Sequence, residues 1–238
     1  MELLSSKKEE ASKMSNYQEN VGPHDGLTEN NAALLLIDHQ VGLMQLVRDM
    51  TPEEFKNNVV GLAKTAKNFN LPVILTTSVD WGPNGPILPE LQTLFPNVEI
   101  IRRPGVINAW RWPAFRKAVD ETGRKKLIIA GISDSTCLQF PSLDAVLEGF
   151  DVHAIIDASG AVSVLEREAT IATLTHVGVK VRNWWSVGAE LQADWRIDEA
   201  KGWPYAMVFR EHLPSWGHLL DTSMAYGTGK MVPPEKKG

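Results

Sequence analysis

Cysteine occurs once in the 238 residues, at Cys137. A single thiol excludes a disulfide framework within the chain and fits a reducing compartment, so a cytoplasmic location is the expectation. Long apolar runs are missing as well. None approaches the roughly 18–20 residues of a membrane span, which sets the membrane aside as a partner. Positive charge is also in deficit: 24 Lys and Arg stand against 29 Asp and Glu, for a net charge of −5 and a pI near 5.7. That balance argues against nucleic acid as a main partner. The N-terminal tract 1–31 has no apolar core of the signal-peptide kind, and its acidic residues are unlike a mitochondrial leader. It reads as a flexible extension, or as an arm that docks on a neighbouring subunit. After the first strand-like run the chain continues IDHQVGL, not G-x-G-x-x-G, which disfavours a dinucleotide-binding oxidoreductase.

What is present is the composition of a soluble globular protein, 43% hydrophobic and 22% charged, with enough chain for one large α/β domain. Short apolar runs alternate with helical periodicity. AALLLI at 32–37, LPVILTT at 71–77, residues 98–101, LIIA at 127–130, 152–156 and the start of a sixth at 180–182 read as strands. Between them, apolar spacing predicts helices over 55–68 (opened by Thr51-Pro52-Glu53-Glu54), 88–95, 112–122, 138–147, 163–177 and from Trp184 through Leu191. Repeated strand–helix units require parallel strands joined by right-handed crossovers. The expected fold is therefore a three-layer α/β/α sandwich around a six-stranded parallel sheet, carried by 32–193. The aromatic- and proline-rich remainder, 194–238, is periodic only in patches and reads as a tail packing on the domain or on a partner subunit.

Within this layout the stretch KLIIAGISDSTCLQFP at 126–141 places Cys137 where a strand hands over to a helix. Unpaired N–H groups and the helix dipole at such a point favour a thiolate; the plainer alternative is a small buried core residue. Asp38 follows the first strand, either at the ligand-binding rim or as a helix cap. Arg103 follows the third, and the neighbouring Arg102 reads as a solvated charge. Three complementary groups at one sheet edge make a stronger signal than any alone. The turn-rich loop 78–96, with Trp81 and Pro86, suits a substrate wall.

The segments LLLIDHQ, LPVILTT, RPGVINAW, AGISDSTCLQFP and EGFDVHAIIDASG together resemble the isochorismatase-like cysteine hydrolases, in particular their YcaC-type branch. The resemblance covers residues 32–223. It implies a catalytic set of Asp38, Arg103 (in the place of the family lysine) and Cys137. It also implies a cis peptide at Ile132–Ser133 that directs N–H groups at an oxyanion, and substrate-lining positions at Gln40, Trp81, Asn108 and Trp110. The metal-binding members carry Asp-x-His after the second strand, whereas this chain has Asp80-Trp81-Gly82, so neither metal nor cofactor is expected. The implied activity is cysteine-dependent hydrolysis of a small amide-type or related C–N substrate through a covalent intermediate. A catalytically idle assembly protein or redox-reactive thiol protein on the same fold is the alternative, because Arg103 departs from the common triad. A homo-oligomer is implied, with an octamer among the states the family suggests.

Overall fold

A computed structural model describes residues 25–195 and 199–228. Six parallel strands form one sheet in the order β3-β2-β1-β4-β5-β6, with β1 at Ala32–Ile37, β2 at Val73–Ser78, β3 at Ile100–Arg103, β4 at Lys126–Gly131, β5 at Asp151–Ile155 and β6 at Lys180–Arg182. Helices are α1 (Pro52–Asn68), α2 (Pro89–Leu94), α3 (Pro113–Glu121), α4 (Gln139–Leu147), α5 (Val164–His176), α6 (Trp184–Gln192), α7 (Glu199–His212) and α8 (Pro214–Thr228). No helix among the described residues is long and apolar enough to cross a membrane.

Every residue of β1 is fully buried, which explains why the strand reads as a continuous apolar run and not an alternating one. Ala32, Leu34 and Leu36 pack with Phe55, Val59 and Leu62 of α1 and with Trp184 and Val187 of α6. Ala33, Leu35 and Ile37 turn to the other side, toward Phe115 and Val119 of α3, Leu138, Ala145 of α4 and Leu174 of α5. The strand order changes direction between β1 and β4, and a crevice at the carboxyl ends of those strands is where open α/β sheets hold their ligands.

Three segments depart from the sequence expectation. The third strand begins at Ile100 and extends through Arg103, two residues beyond the expected end, with Thr77 and Ser78 in register with Arg102 and Arg103. Two arginines look like loop, yet the ladder continues because the buried member, Arg103, finds a full set of acceptors. The segment after 194, read as a tail periodic only in patches that packs on the domain or on a partner subunit, is helical. It forms α7 and α8, with Tyr205 and Phe209 of α7 seated in the core beside Trp184, and Pro204, Pro214, Gly202 and Gly217 obscure its helical spacing. Asn57 Nδ2 donates to the His212 carbonyl at 2.8 Å, tying the end of α7 to α1. Packing also begins before Ala32. Leu27 is buried and its N–H donates to Glu190 Oε1 at 2.9 Å, so part of the expected extension is docked; 1–24 and the proline-rich end at 233–237 lie outside the described residues.

Candidate active site

Asp38 is the first residue past β1. Its N–H still donates to the Thr76 carbonyl of β2 at 3.0 Å, and its φ of 59° turns the chain out of the sheet. This left-handed conformation is one that Asp tolerates better than most side chains. The carboxylate is 1% exposed. Oδ2 takes a hydrogen bond from Arg103 Nη2 and lies 3.1 Å from Cys137 Sγ. Oδ1 has no partner among the described residues, which leaves one acceptor of a buried carboxylate open beside the sulfur.

Arg103 arrives from the other side of β2 and is fully buried. Nε donates to Thr76 Oγ1 at 3.1 Å, and that hydroxyl donates in turn to the Ile101 carbonyl at 2.7 Å. Nη1 donates to the carbonyls of Val106 and Ile107, the latter at 3.0 Å. The guanidinium therefore closes the loop after β3 as well as holding Asp38. A planar fork supplies this set of directions where an ammonium would not.

Cys137 lies in a single π-type turn, Asp134–Leu138, inserted between β4 and α4, with the Leu138 N–H donating to the Ser133 carbonyl at 3.2 Å. The peptide bond Ile132–Ser133 is cis. The turn folds back closely over the strand. A Cβ at Gly131 would meet the Cys137 carbonyl group at 3.0 Å, so any larger residue there would press on the turn. Thr136 Oγ1 donates to Sγ at 3.6 Å, and Ser133 and Thr136 share a hydroxyl–hydroxyl bond of 3.0 Å.

The electrostatics correct one expectation. The turn position predicted a depressed thiol pKa, but burial and then the Asp38 carboxylate push the Cys137 thiol well up. Burial likewise raises Asp38, against the Arg103 charge that lowers it. Both groups hold a proton more tightly than they would in water, and in the 3.1 Å contact Sγ is placed to donate to Asp38 Oδ2.

The four expected lining residues do not share one place. Gln40 is buried and spends its amide on Ser78 and Gly85: Nε2 donates to both carbonyls at 3.1 and 2.6 Å, and Oε1 accepts from the Ser78 N–H at 2.9 Å. It pins the 78–86 loop. Trp110 is 4% exposed, its Nε1 donating to Glu148 Oε1 at 2.7 Å and its ring edge-on to Phe150 at 5.4 Å. Asn108 caps the turn at Trp110 and donates to Asp144 Oδ2 at 2.8 Å. Trp81 is exposed, and lines with Asp80, Pro86, Gln92 and Arg102 a cavity of about 180 Å³ whose walls include none of Asp38, Arg103 and Cys137. Arg102 pairs with Asp80 at 2.8 Å while staying exposed.

Sequence reasoning did not single out Thr76, the carbonyls of Val106 and Ile107, Thr136 or Asp134. A backbone carbonyl carries no side-chain signal, and Thr76 reads as an ordinary strand residue. Asp134 is fully buried with neither carboxylate oxygen paired among the described residues, and burial together with Asp49 and Glu166 pushes it up to about 8. Among the described residues no group of three or more His, Cys, Asp or Glu is arranged to hold a metal ion.

Comparison with known proteins agrees with this architecture. The isochorismatase domain model matches residues 32–185. The chain belongs to the isochorismatase family. It is 48% identical over 198 residues to the probable hydrolase YcaC of Escherichia coli K12, covering 83% of this chain and 94% of that protein. The solved structure of E. coli YcaC, an octameric hydrolase of unknown specificity, superposes with a TM-score of 0.82 at 47% identity, covering 87% of this chain and all of that one. YcaC from Pseudomonas aeruginosa, with hexane-2,5-diol and covalent acrylamide, superposes at 0.81 with 48% identity over the same shares.

Proposed function

We propose that this member of the isochorismatase family is a cysteine-dependent hydrolase of small amide-type or related C–N substrates. The observation that carries the reading is the 3.1 Å contact between Cys137 Sγ and an Asp38 carboxylate held in place by a fully buried arginine. In the first half-reaction Asp38 takes the thiol proton as Sγ attacks the substrate carbonyl carbon. The N–H groups of Ser133 and Cys137 receive the oxyanion. Collapse breaks the C–N bond, and the proton on Asp38 leaves with the amine. In the second, Asp38 deprotonates a water that attacks the thioester, releasing the acid and returning the proton to sulfur. Arg103 stays charged throughout and moves no proton; one carboxylate performs every transfer.

Covalent acrylamide on the P. aeruginosa relative fits a reactive nucleophile in this family, and here Cys137 is the sole thiol. The raised thiol pKa favours a second reading, an idle or redox-reactive thiol protein of the same fold. A panel of small amides and related C–N substrates with purified protein separates the two. Turnover that disappears in Cys137→Ala supports the hydrolase. Stoichiometric alkylation of Cys137 with no turnover across the panel would overturn it in favour of the idle thiol.

A further inference from the structure

The thiolate formed when Asp38 takes the proton needs a donor, and four of the five Arg103 N–H groups are directed at other acceptors. Its Nε faces Thr76, its Nη1 faces the Val106 and Ile107 carbonyls, and its Nη2 faces Asp38 Oδ2. The side-chain hydroxyl directed at sulfur is that of Thr136, at 3.6 Å. With Thr136 donating to Sγ, its oxygen is free to accept from Ser133 Oγ, 3.0 Å away. The three residues then form a directed chain, Ser133 O–H to Thr136 O–H to Cys137 S.

We infer that Thr136, polarised by Ser133, is the hydrogen-bond donor that stabilises the Cys137 thiolate during catalysis. The inference rests on the proposed thiol mechanism. Cys137 is buried, so water gives little help to a charge there, and a bond to an ionised acceptor is stronger than one between neutral groups. Chained hydroxyls strengthen one another in the same direction. The thiol hydrogen points to Asp38 at rest, so the Thr136 bond gains most once that proton has left. Such a contact favours the reacting state over the resting one. The Thr136 donor and the Arg103 charge both act to lower the thiol pKa, and the donor outranks the charge.

The test is the rate of Cys137 alkylation by iodoacetamide in the full-length protein at a fixed pH of about 8, where a thiol pushed up by burial is mostly protonated and the rate follows the thiolate fraction. Thr136→Val removes the hydroxyl at nearly constant shape, and Thr136→Ser restores it. The valine variant should alkylate roughly 4- to 20-fold more slowly, since a bond to a charged group contributes about 1.5–3 kcal/mol and the higher thiolate nucleophilicity offsets about half of that. The serine variant should track the parent protein. Ser133→Ala should slow alkylation by less. A purely structural role for Thr136 would alter the melting temperature and leave the rate in place. An unchanged rate in Thr136→Val overturns the inference. Should that variant not fold, the parent rate in Ser133→Ala overturns the chain, and a lowered one supports it. None of these readouts needs a substrate, so a failed amide panel and a failed hydroxyl chain are separate results.

Discussion

A fully buried guanidinium is tolerable only when its donors are satisfied, and at Arg103 the acceptors are Thr76 Oγ1, two loop carbonyls and Asp38. This arrangement makes the residue structural as well as electrostatic. Arg103→Lys keeps a positive charge opposite Asp38 but leaves the Val106 and Ile107 carbonyls without their donor. Arg103→Met removes both. Hydrolysis should therefore fall in the order parent, Lys variant, Met variant. Both variants should also melt earlier, by roughly 4–10 °C, as expected for about 2–4 kcal/mol in a chain of this length. Equal activity losses with unequal melting would assign the activity loss to guanidinium geometry and not to charge. Asp38→Asn keeps size and removes the base, so turnover should drop roughly 10²–10⁴-fold. Unchanged turnover would remove Asp38 from the mechanism.

At the scale of elements, the turn that carries Cys137 also holds a buried carboxyl with no partner among the described residues. Asp134 is fully buried at the start of the turn, faced by Asp49 and Glu166, with Arg167 as the one opposing charge. Its carboxyl is raised from 3.8 to about 8 in the folded protein. The folded state therefore holds a proton that the unfolded state has released, and stability declines as pH rises from about 4 to about 8. Asp134→Asn should leave melting near pH 4 almost unchanged and raise it above pH 8. A melting difference that is the same at both pH values would exclude ionisation of Asp134 as the cause. On the acid side, burial takes His39 and His153 down to about 4. Both stay neutral in the fold while the unfolded chain protonates them, so their contribution is present above pH 6.5 and is lost as pH falls toward 4. Elements buried on both faces, such as β1 and β4, were legible because their sequences are unbroken apolar runs. The end of β3 was not, since Arg102 and Arg103 look solvated until their partners are known. Helices α7 and α8 were hidden by their prolines and glycines. In the site, Asp38, Arg103 and Cys137 could be brought together from their positions after three strands. The direction of the thiol shift could not, because it depends on a 3.1 Å approach between residues 99 positions apart.

For the whole molecule, the question is what covers the apolar side chains that the single chain leaves in water. Leu147 at the end of α4 is 84% exposed and Leu165 in the first turn of α5 is 75% exposed; Phe140 of α4, Val164 of α5 and Val162 just before α5 are exposed as well, and the two helices are neighbours. Scattered apolar residues on a surface need no explanation; several large ones on two neighbouring helices motivate a test for association. The E. coli relative, 47% identical across all of its chain, is octameric. A homo-oligomer is the expected outcome here, with a sedimenting mass that is a multiple of 26.4 kDa at micromolar concentration. If α4 and α5 form part of the contact, Leu147→Asp and Leu165→Asp should each place charge in a desolvated interface and shift the distribution toward smaller species. Their far-ultraviolet spectra should stay those of the parent, because neither side chain reaches the core. A monomer in the parent protein would refute the assembly. An intact oligomer in both variants would move the interface to another face of the domain.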